Sequence, residues 1–161
     1  MEKIIKLRKL FKKFSLDGYI VPKNNNFFGE NVPASEDNLK YISNFTGSAG
    51  FAVILKNKNY MFVDGRYTIQ AGIQCGKEFQ ICNIPKEYPF NIFKNKNLNL
   101  GFDPKLHTEN SINKLFGNNS IKLKPVNANL IDLLWKRERN SKIRPFYIIK
   151  DQDAGSKSQK K

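Results

Sequence analysis

Apolar positions along this chain alternate between helical and strand spacing. In Glu2–Phe14 the apolar residues Ile4, Leu7, Leu10, Phe11 and Phe14 recur every three or four positions with lysines opposite, which predicts an amphipathic helix docked by one stripe. Asp17-Gly18 then opens Tyr19-Ile20-Val21, a short apolar strand closed by Pro22. A polar loop over 23–33 follows, and Ser35 before Glu36-Asp37 is placed to cap a helix through Tyr41, Ile42 and Phe45. Phe51–Leu55 and Met61–Asp64 flank the turn Lys56-Asn57-Lys58-Asn59, a hairpin pattern.

Downstream, the spacing predicts a helix over Thr68–Cys75 ended by Gly76, strands at 79–82 and 98–103, and a helix over Glu109–Phe116 capped by Thr108 and stopped by Gly117. A strand at 121–126 and a short helix at 130–135 close the pattern. Strands separated by helices imply a three-layer α/β/α domain, and the single hairpin implies one antiparallel strand in a mixed, mostly parallel sheet. The pattern changes near residue 140. Residues 1–140 read as one domain, and 141–161, ending in Ala154-Gly155-Ser156-Lys157 where a capped helix could begin, read as a linker and the truncated start of a second.

Composition narrows the function classes. A chain of 161 residues with 40% hydrophobic and 12% aromatic content is sized for one packed domain. No apolar run approaches the ~20 residues of a membrane helix, so a soluble cytoplasmic protein without membrane partners is expected. The net charge of +14 comes mainly from dispersed lysine, the arginines being Arg8, Arg66, Arg137, Arg139 and Arg144. Nucleic-acid readers concentrate such charge on one face with stacking aromatics; here solvated surface is the first reading, with a polyanion site or an acidic partner as alternatives. Cys75 and Cys82 match no metal-ligand spacing and read as buried thiols before a disulfide or metal role.

Catalytic patterns are sparse. His107 is the single histidine and stands directly before a helix cap, which favours an ordinary surface or capping role over a zinc ligand. Gly47-Ser48-Ala49-Gly50 is one residue too short for a nucleophile elbow, and no phosphate loop or dinucleotide fingerprint occurs. Asp17, Asp64, Asp103 and Asp132 lie on different elements, so their spacing predicts no shared metal site. Gly47 and Gly50 fit a tight helix-to-strand passage with Ser48 bonding nearby amides, or an anion-binding nest. Asp64-Gly65-Arg66-Tyr67 ends a strand and starts a helix: Asp64 can accept first-turn amides and Arg66 can fork onto a carboxylate. A role inside the fold, at an interface with another domain, or gating a cleft stays open for this motif, ahead of independent catalysis.

The ordered set Asp17-Gly18-Tyr19-Ile20-Val21-Pro22, Gly29-Glu30 with Pro33, Phe45-Thr46-Gly47-Ser48-Ala49-Gly50, Val63-Asp64-Gly65-Arg66-Tyr67 and Gln70-Ala71 resembles the amino-terminal domain of Xaa-Pro aminopeptidases, in the creatinase and prolidase group of M24 metallopeptidases. The resemblance covers roughly residues 4–157. It implies a ribonuclease-H-like α/β/α fold and, in the family, hydrolysis before proline by a separate carboxy-terminal domain holding two divalent metal ions such as manganese. No metal ligand of that domain maps onto this chain, so no cofactor and no catalytic residue are expected within it. The implied partner is a separate M24 catalytic domain, or a second copy of the chain. Asn31 departs from a frequent aromatic, and Asn24-Asn25-Asn26 replaces a loop that usually carries acid and histidine. The alternative to a non-catalytic domain is a stand-alone basic module for a polyanion or protein partner.

Overall fold

The helix read at the amino terminus forms as α1 (Glu2–Phe14), burying Ile4, Leu7 and Phe11. Ser15 ends it in the left-handed region at φ 53, and the Leu16 amide closes back on Phe11 O at 2.9 Å. The chain's computed structural model describes residues 1–117 and 120–137, together with Ile149 and Asp153. The boundary expected after residue 140 and most of the segment 141–161 lie outside the described residues.

The strands are β1 (Gly18–Pro22), β2 (Phe51–Leu55), β3 (Asn59–Asp64), β4 (Gln80–Ile84), β5 (Leu98–Phe102) and β6 (Ile121–Pro125). They form one six-stranded sheet in the order β4-β3-β2-β1-β5-β6. β2 runs antiparallel to both β1 and β3, and every other pair is parallel. This is the mixed, mostly parallel sheet the hairpin implied. The remaining helices are α2 (Asn38–Ser43), α3 (Thr68–Cys75), α4 (Pro89–Ile92) and α5 (Glu109–Phe116).

β1, β2 and most of β3 are buried on both faces, so their side chains alternate between two cores. Tyr19, Val21, Ala52, Ile54, Met61 and Val63 face α1, α2 and α3. Ile20, Phe51, Val53, Tyr60 and Phe62 face the opposite layer, packed with Phe93, Ile112 and Phe116. Both sheet edges are blunted. The outer strand β6 exposes Lys122 and Lys124, and on β4 the Asn83 amide donates to Glu87 Oε2 at 2.9 Å while Asn83 O accepts the Glu87 amide at 2.8 Å.

Several elements differ from the sequence reading. Asp37, not Ser35, caps α2: its Oδ1 accepts the Lys40 amide at 3.0 Å, whereas Ser35 lies within a turn closed by Glu36 N on Pro33 O at 2.8 Å. That helix stops at Ser43, before Phe45, because Asn44 turns left-handed at φ 64. Residues 130–135 form successive turns rather than a helix, since the Asn129 side chain takes the Ile131 amide at 2.9 Å and fixes the chain in a tighter bend. The short α4 was not anticipated. The Thr108 cap forms as expected, its Oγ1 accepting the Ser111 amide at 3.1 Å.

His107 is half-buried rather than fully on the surface. It ends a 3-10 turn over Pro104–Leu106, packs edge-on against Phe102 at 5.7 Å between ring centroids, and buries Nε2 without a hydrogen-bond partner among the described residues. Burial pushes its pKa down to about 4, against about 6.5 in an unfolded chain. The unfolded state therefore binds the extra proton first as pH falls. The stabilisation is complete above pH 6.5 and is lost as pH drops through 4, a swing on the order of 3 kcal/mol. Urea titrations across that window should show a His107→Leu variant with a flatter stability curve than the parent by about this amount; parallel curves would contradict it.

Candidate functional site

The sequence motif assembles at one end of the β2–β3 hairpin. Phe45 is fully buried, and a Cβ on Gly47 would sit 2.2 Å from its ring, so the ring requires glycine there. Gly50 has φ +147, and a Cβ at that position would lie 2.9 Å from Phe62 O. The passage is bound to α3 by side chains. Thr46 N donates to Gln74 Oε1 at 2.8 Å, Gln70 and Gln74 amides reach Thr46 Oγ1 at 2.9 and 2.8 Å, and Ser48 and Tyr67 hydroxyls are 2.6 Å apart. Tyr67 also stands edge-on to Phe45 at 5.9 Å.

Asp64 and Arg66 engage each other. Asp64 Oδ1 accepts the Arg66 amide at 2.9 Å and Nε at 3.0 Å, while Nη2 donates to Oδ2 at 2.8 Å. The guanidinium holds the Asp64 carboxyl below its usual range, and the carboxylate raises the Arg66 pKa. Gly65 lies between them and takes the Thr68 hydroxyl on its carbonyl at 3.3 Å. The fork of Arg66 is thus filled within its own turn, with the guanidinium near the Tyr67 ring at 5.4 Å. Beyond it, α3 presents Ile69 and Ile73 to solvent at 79% and 78% exposure. These isoleucines, one helical turn apart, are an apolar face that the sequence reading did not single out.

A second site was missed. Outside the carboxyl ends of the parallel strands β1, β5 and β6 lies a polar crevice of about 170 Å³. The loop after β1 contributes Asn24, Asn25 and Glu36; the turn after β5 contributes Asp103 and Lys105; the segment after β6 contributes Asn129, Asp132 and Arg137. Asp103 and Asp132, scattered in sequence, therefore share one cleft, while Asp17 and Asp64 lie elsewhere. Asp17 ties β1 to its neighbours, taking Lys56 Nζ at 2.6 Å and the Asn99 amide at 2.9 Å.

Within the crevice Asp103 accepts the Lys105 amide and Asn129 Nδ2, each at 2.9 Å. Asn25 anchors its loop by accepting the Phe27 and Gly29 amides at 3.1 and 3.2 Å and donating to Glu36 Oε2 at 3.0 Å. Arg137 Nη2 contacts Asp132 and donates to Asn38 Oδ1 at 2.6 Å. Burial raises the Asp132 pKa, an effect Arg137 opposes. Among the described residues no three of His, Cys, Asp and Glu converge closely enough to hold a metal ion. Cys75 and Cys82 are free buried thiols pushed up by burial to about 11 and about 12.

Comparison with known proteins matches this architecture. The model of the creatinase/prolidase N-terminal domain fits residues 3–133. A probable Xaa-Pro aminopeptidase P of Laccaria bicolor is 32% identical over 150 residues, covering 88% of this chain and 23% of the relative. Aminopeptidase P1 of Arabidopsis thaliana is 30% identical over 151 residues, with the same coverage of 88% and 23%. The structure of an X-prolyl aminopeptidase from Caenorhabditis elegans, described as a cytosolic enzyme with a di-nuclear active site, superposes with a TM-score of 0.75 at 25% identity, over 86% of this chain and 26% of that one. The N-terminal domain of PepQ from Mycobacterium tuberculosis shares the fold at a TM-score of 0.65 and 18% identity, over 83% of this chain and 98% of that domain. The chain spans about a quarter of the length of the aminopeptidase relatives, and it belongs to the creatinase/prolidase N-terminal domain family.

Proposed function

We propose that this chain acts as the non-catalytic amino-terminal module of an Xaa-Pro aminopeptidase-type metallopeptidase, packing against an M24 catalytic domain and shaping the mouth of its cleft. The observation that carries this reading is the coverage: 88% of the chain aligns with 23% of a relative, as one domain of a longer enzyme would. The donor set agrees with it. A pair of divalent ions needs several carboxylates and imidazoles converging, and the described residues bring no such group together.

The docking face we assign is the outer side of α3. Both sheet edges are blunted, whereas Ile69 and Ile73 lie bare beside the Asp64–Arg66 pair. An apolar pair rimmed by polar groups matches the make-up of domain interfaces. Gly47, Ser48, Gly50 and Tyr67 fix the angle at which that face is offered. A cytoplasmic setting goes with this reading: no helix among the described residues is long and apolar enough to cross a membrane, and the nematode relative is described as cytosolic. No specific observation favours a stand-alone polyanion-binding module.

The purified chain supplied with manganese and an Xaa-Pro peptide should release no amino-terminal residue above the protein-free rate. Manganese-dependent turnover that co-purifies with the chain would overturn the non-catalytic assignment.

A further inference from the structure

The polar crevice sits where the path of the chain divides. β1 and β5 are parallel neighbours, and the strands that follow them lie on opposite sides, β2 beyond β1 and β6 beyond β5. The helices that follow them also part: α2 packs on one face of the sheet and α5 on the other. In open α/β sheets such a divergence leaves a cleft outside the strand ends, and this is where ligands bind. At about 170 Å³ the cleft is sized for a small metabolite.

Its polar groups are not all spent on one another. Asn38 is 4% exposed; its Oδ1 is held by Arg137, and its Nδ2 has no acceptor among the described residues. Arg137 Nε is buried without an acceptor among the described residues. Arg137 Nε is thus a buried unmet donor that calls for an acceptor, and Asn38, in contact with Arg137 and lining the same crevice, adds a second donor that no group there has taken. On the acceptor side, Glu36 meets Asn25 through one oxygen and Asp132 meets Arg137 through one, so each keeps a second oxygen for a donor. Three lining carboxylates, Glu36, Asp103 and Asp132, stand against the two cations Lys105 and Arg137. In a chain of net charge +14 this balance does not suit a polyanion, and the absence of a converging donor group among the described residues does not suit a divalent cation.

We propose that this crevice binds a small zwitterion of the α-amino-acid class, its carboxylate accepting from Arg137 Nε and Asn38 Nδ2 and its ammonium facing Asp132 and Glu36. Such a ligand supplies both missing halves at once, where an amine or an acid alone supplies one. The site is separate from the α3 face, and its assignment does not depend on the metallopeptidase reading.

The test is a nitrogen-15 NMR titration of the full 161-residue chain with a panel of free L-amino acids from glycine to leucine. At least one should give saturable shifts centred on the side-chain signals of Asn25, Asn38, Asn129 and Arg137. Its decarboxylated amine and its N-acetyl derivative should each bind about tenfold more weakly or worse. Asp132→Asn should weaken the amino acid by a similar factor while leaving the spectrum folded. Absence of saturation by every amino acid at about 10 mM, or equal binding of the N-acetyl derivative, would overturn the proposal. Because these outcomes are read on the parent chain, they hold even where a variant fails to fold.

Discussion

Replacing Phe62 with alanine is expected to lower the unfolding free energy by about 3–5 kcal/mol, with a fall in midpoint temperature on the order of 10 °C. Phe62 is fully buried on β3 and is the hub of an aromatic layer. It stacks on Phe51 at 4.8 Å between centroids and meets Phe93 at 6.2 Å and Tyr60 at 6.3 Å. Apart from Tyr60 on the same strand, the rings of this layer belong to different elements: Phe51 to β2, Phe93 to the end of α4, and Phe116, which stacks on Phe93 at 6.5 Å, to α5. Their backbones are fixed independently, so the cavity left by the ring cannot be filled by a single collapse. A Phe62→Leu variant, which keeps most of the volume, should cost less than about 1.5 kcal/mol. Urea denaturation with an unchanged slope checks both values; a loss below about 1 kcal/mol for the alanine variant would mean that this layer is not packed as described.

The elements legible in sequence are those whose signals are local. α1, the β2–β3 hairpin, α3 and the Thr108-capped α5 each carry their period and their stop within a dozen residues or so. The cap of α2 is misplaced in the sequence reading because Ser35 and Asp37 are similar as capping residues. What selects Asp37 is Lys23, fourteen positions earlier, and no local pattern contains it. The turns over 130–135 were read as a helix because Leu130, Ile131 and Leu134 keep helical spacing, whereas the Asn129 side chain and the buried Tyr19 hydroxyl, 3.4 Å from the Leu130 amide, set the backbone.

The crevice was illegible for a related reason. Asn24, Asn38, Asp103, Asn129 and Arg137 come from segments up to 113 positions apart, and the parallel pairing of β1, β5 and β6 is what brings them together. One signal was present: asparagine clusters at 24–26 and again at 127 and 129, directly after two of those strands. Those two clusters line two walls of one cleft. The motif around Asp64 shows the converse. Its fork-like pairing was foreseeable from side-chain chemistry, but the partner of Arg66 turned out to be two residues away.

Lys23→Met should be the most damaging change near the crevice, with an expected loss of about 3–5 kcal/mol. Lys23 leaves the end of β1, its amide on Gly50 O at 3.0 Å and its ammonium on Asp37 Oδ2. Both side chains are nearly withdrawn from water, at 9% and 7% exposure. Removing the ammonium strands a buried carboxylate, and the desolvation of that charge is then uncompensated. Asp37→Asn strands the ammonium instead, although an asparagine oxygen still accepts the Lys40 amide that caps α2. The double variant leaves neither charge. It should therefore be more stable than the sum of the single losses implies, by about 2 kcal/mol. Simple additivity in the denaturation cycle would show that the pair is solvated and contributes little. The consequence reaches the crevice, because Asn38 is the first residue of the helix that Asp37 caps. A pair that fixes that helix end also fixes the Asn38 amide against Arg137, so the Lys23 variant should disturb the crevice through the backbone without touching any of its lining groups.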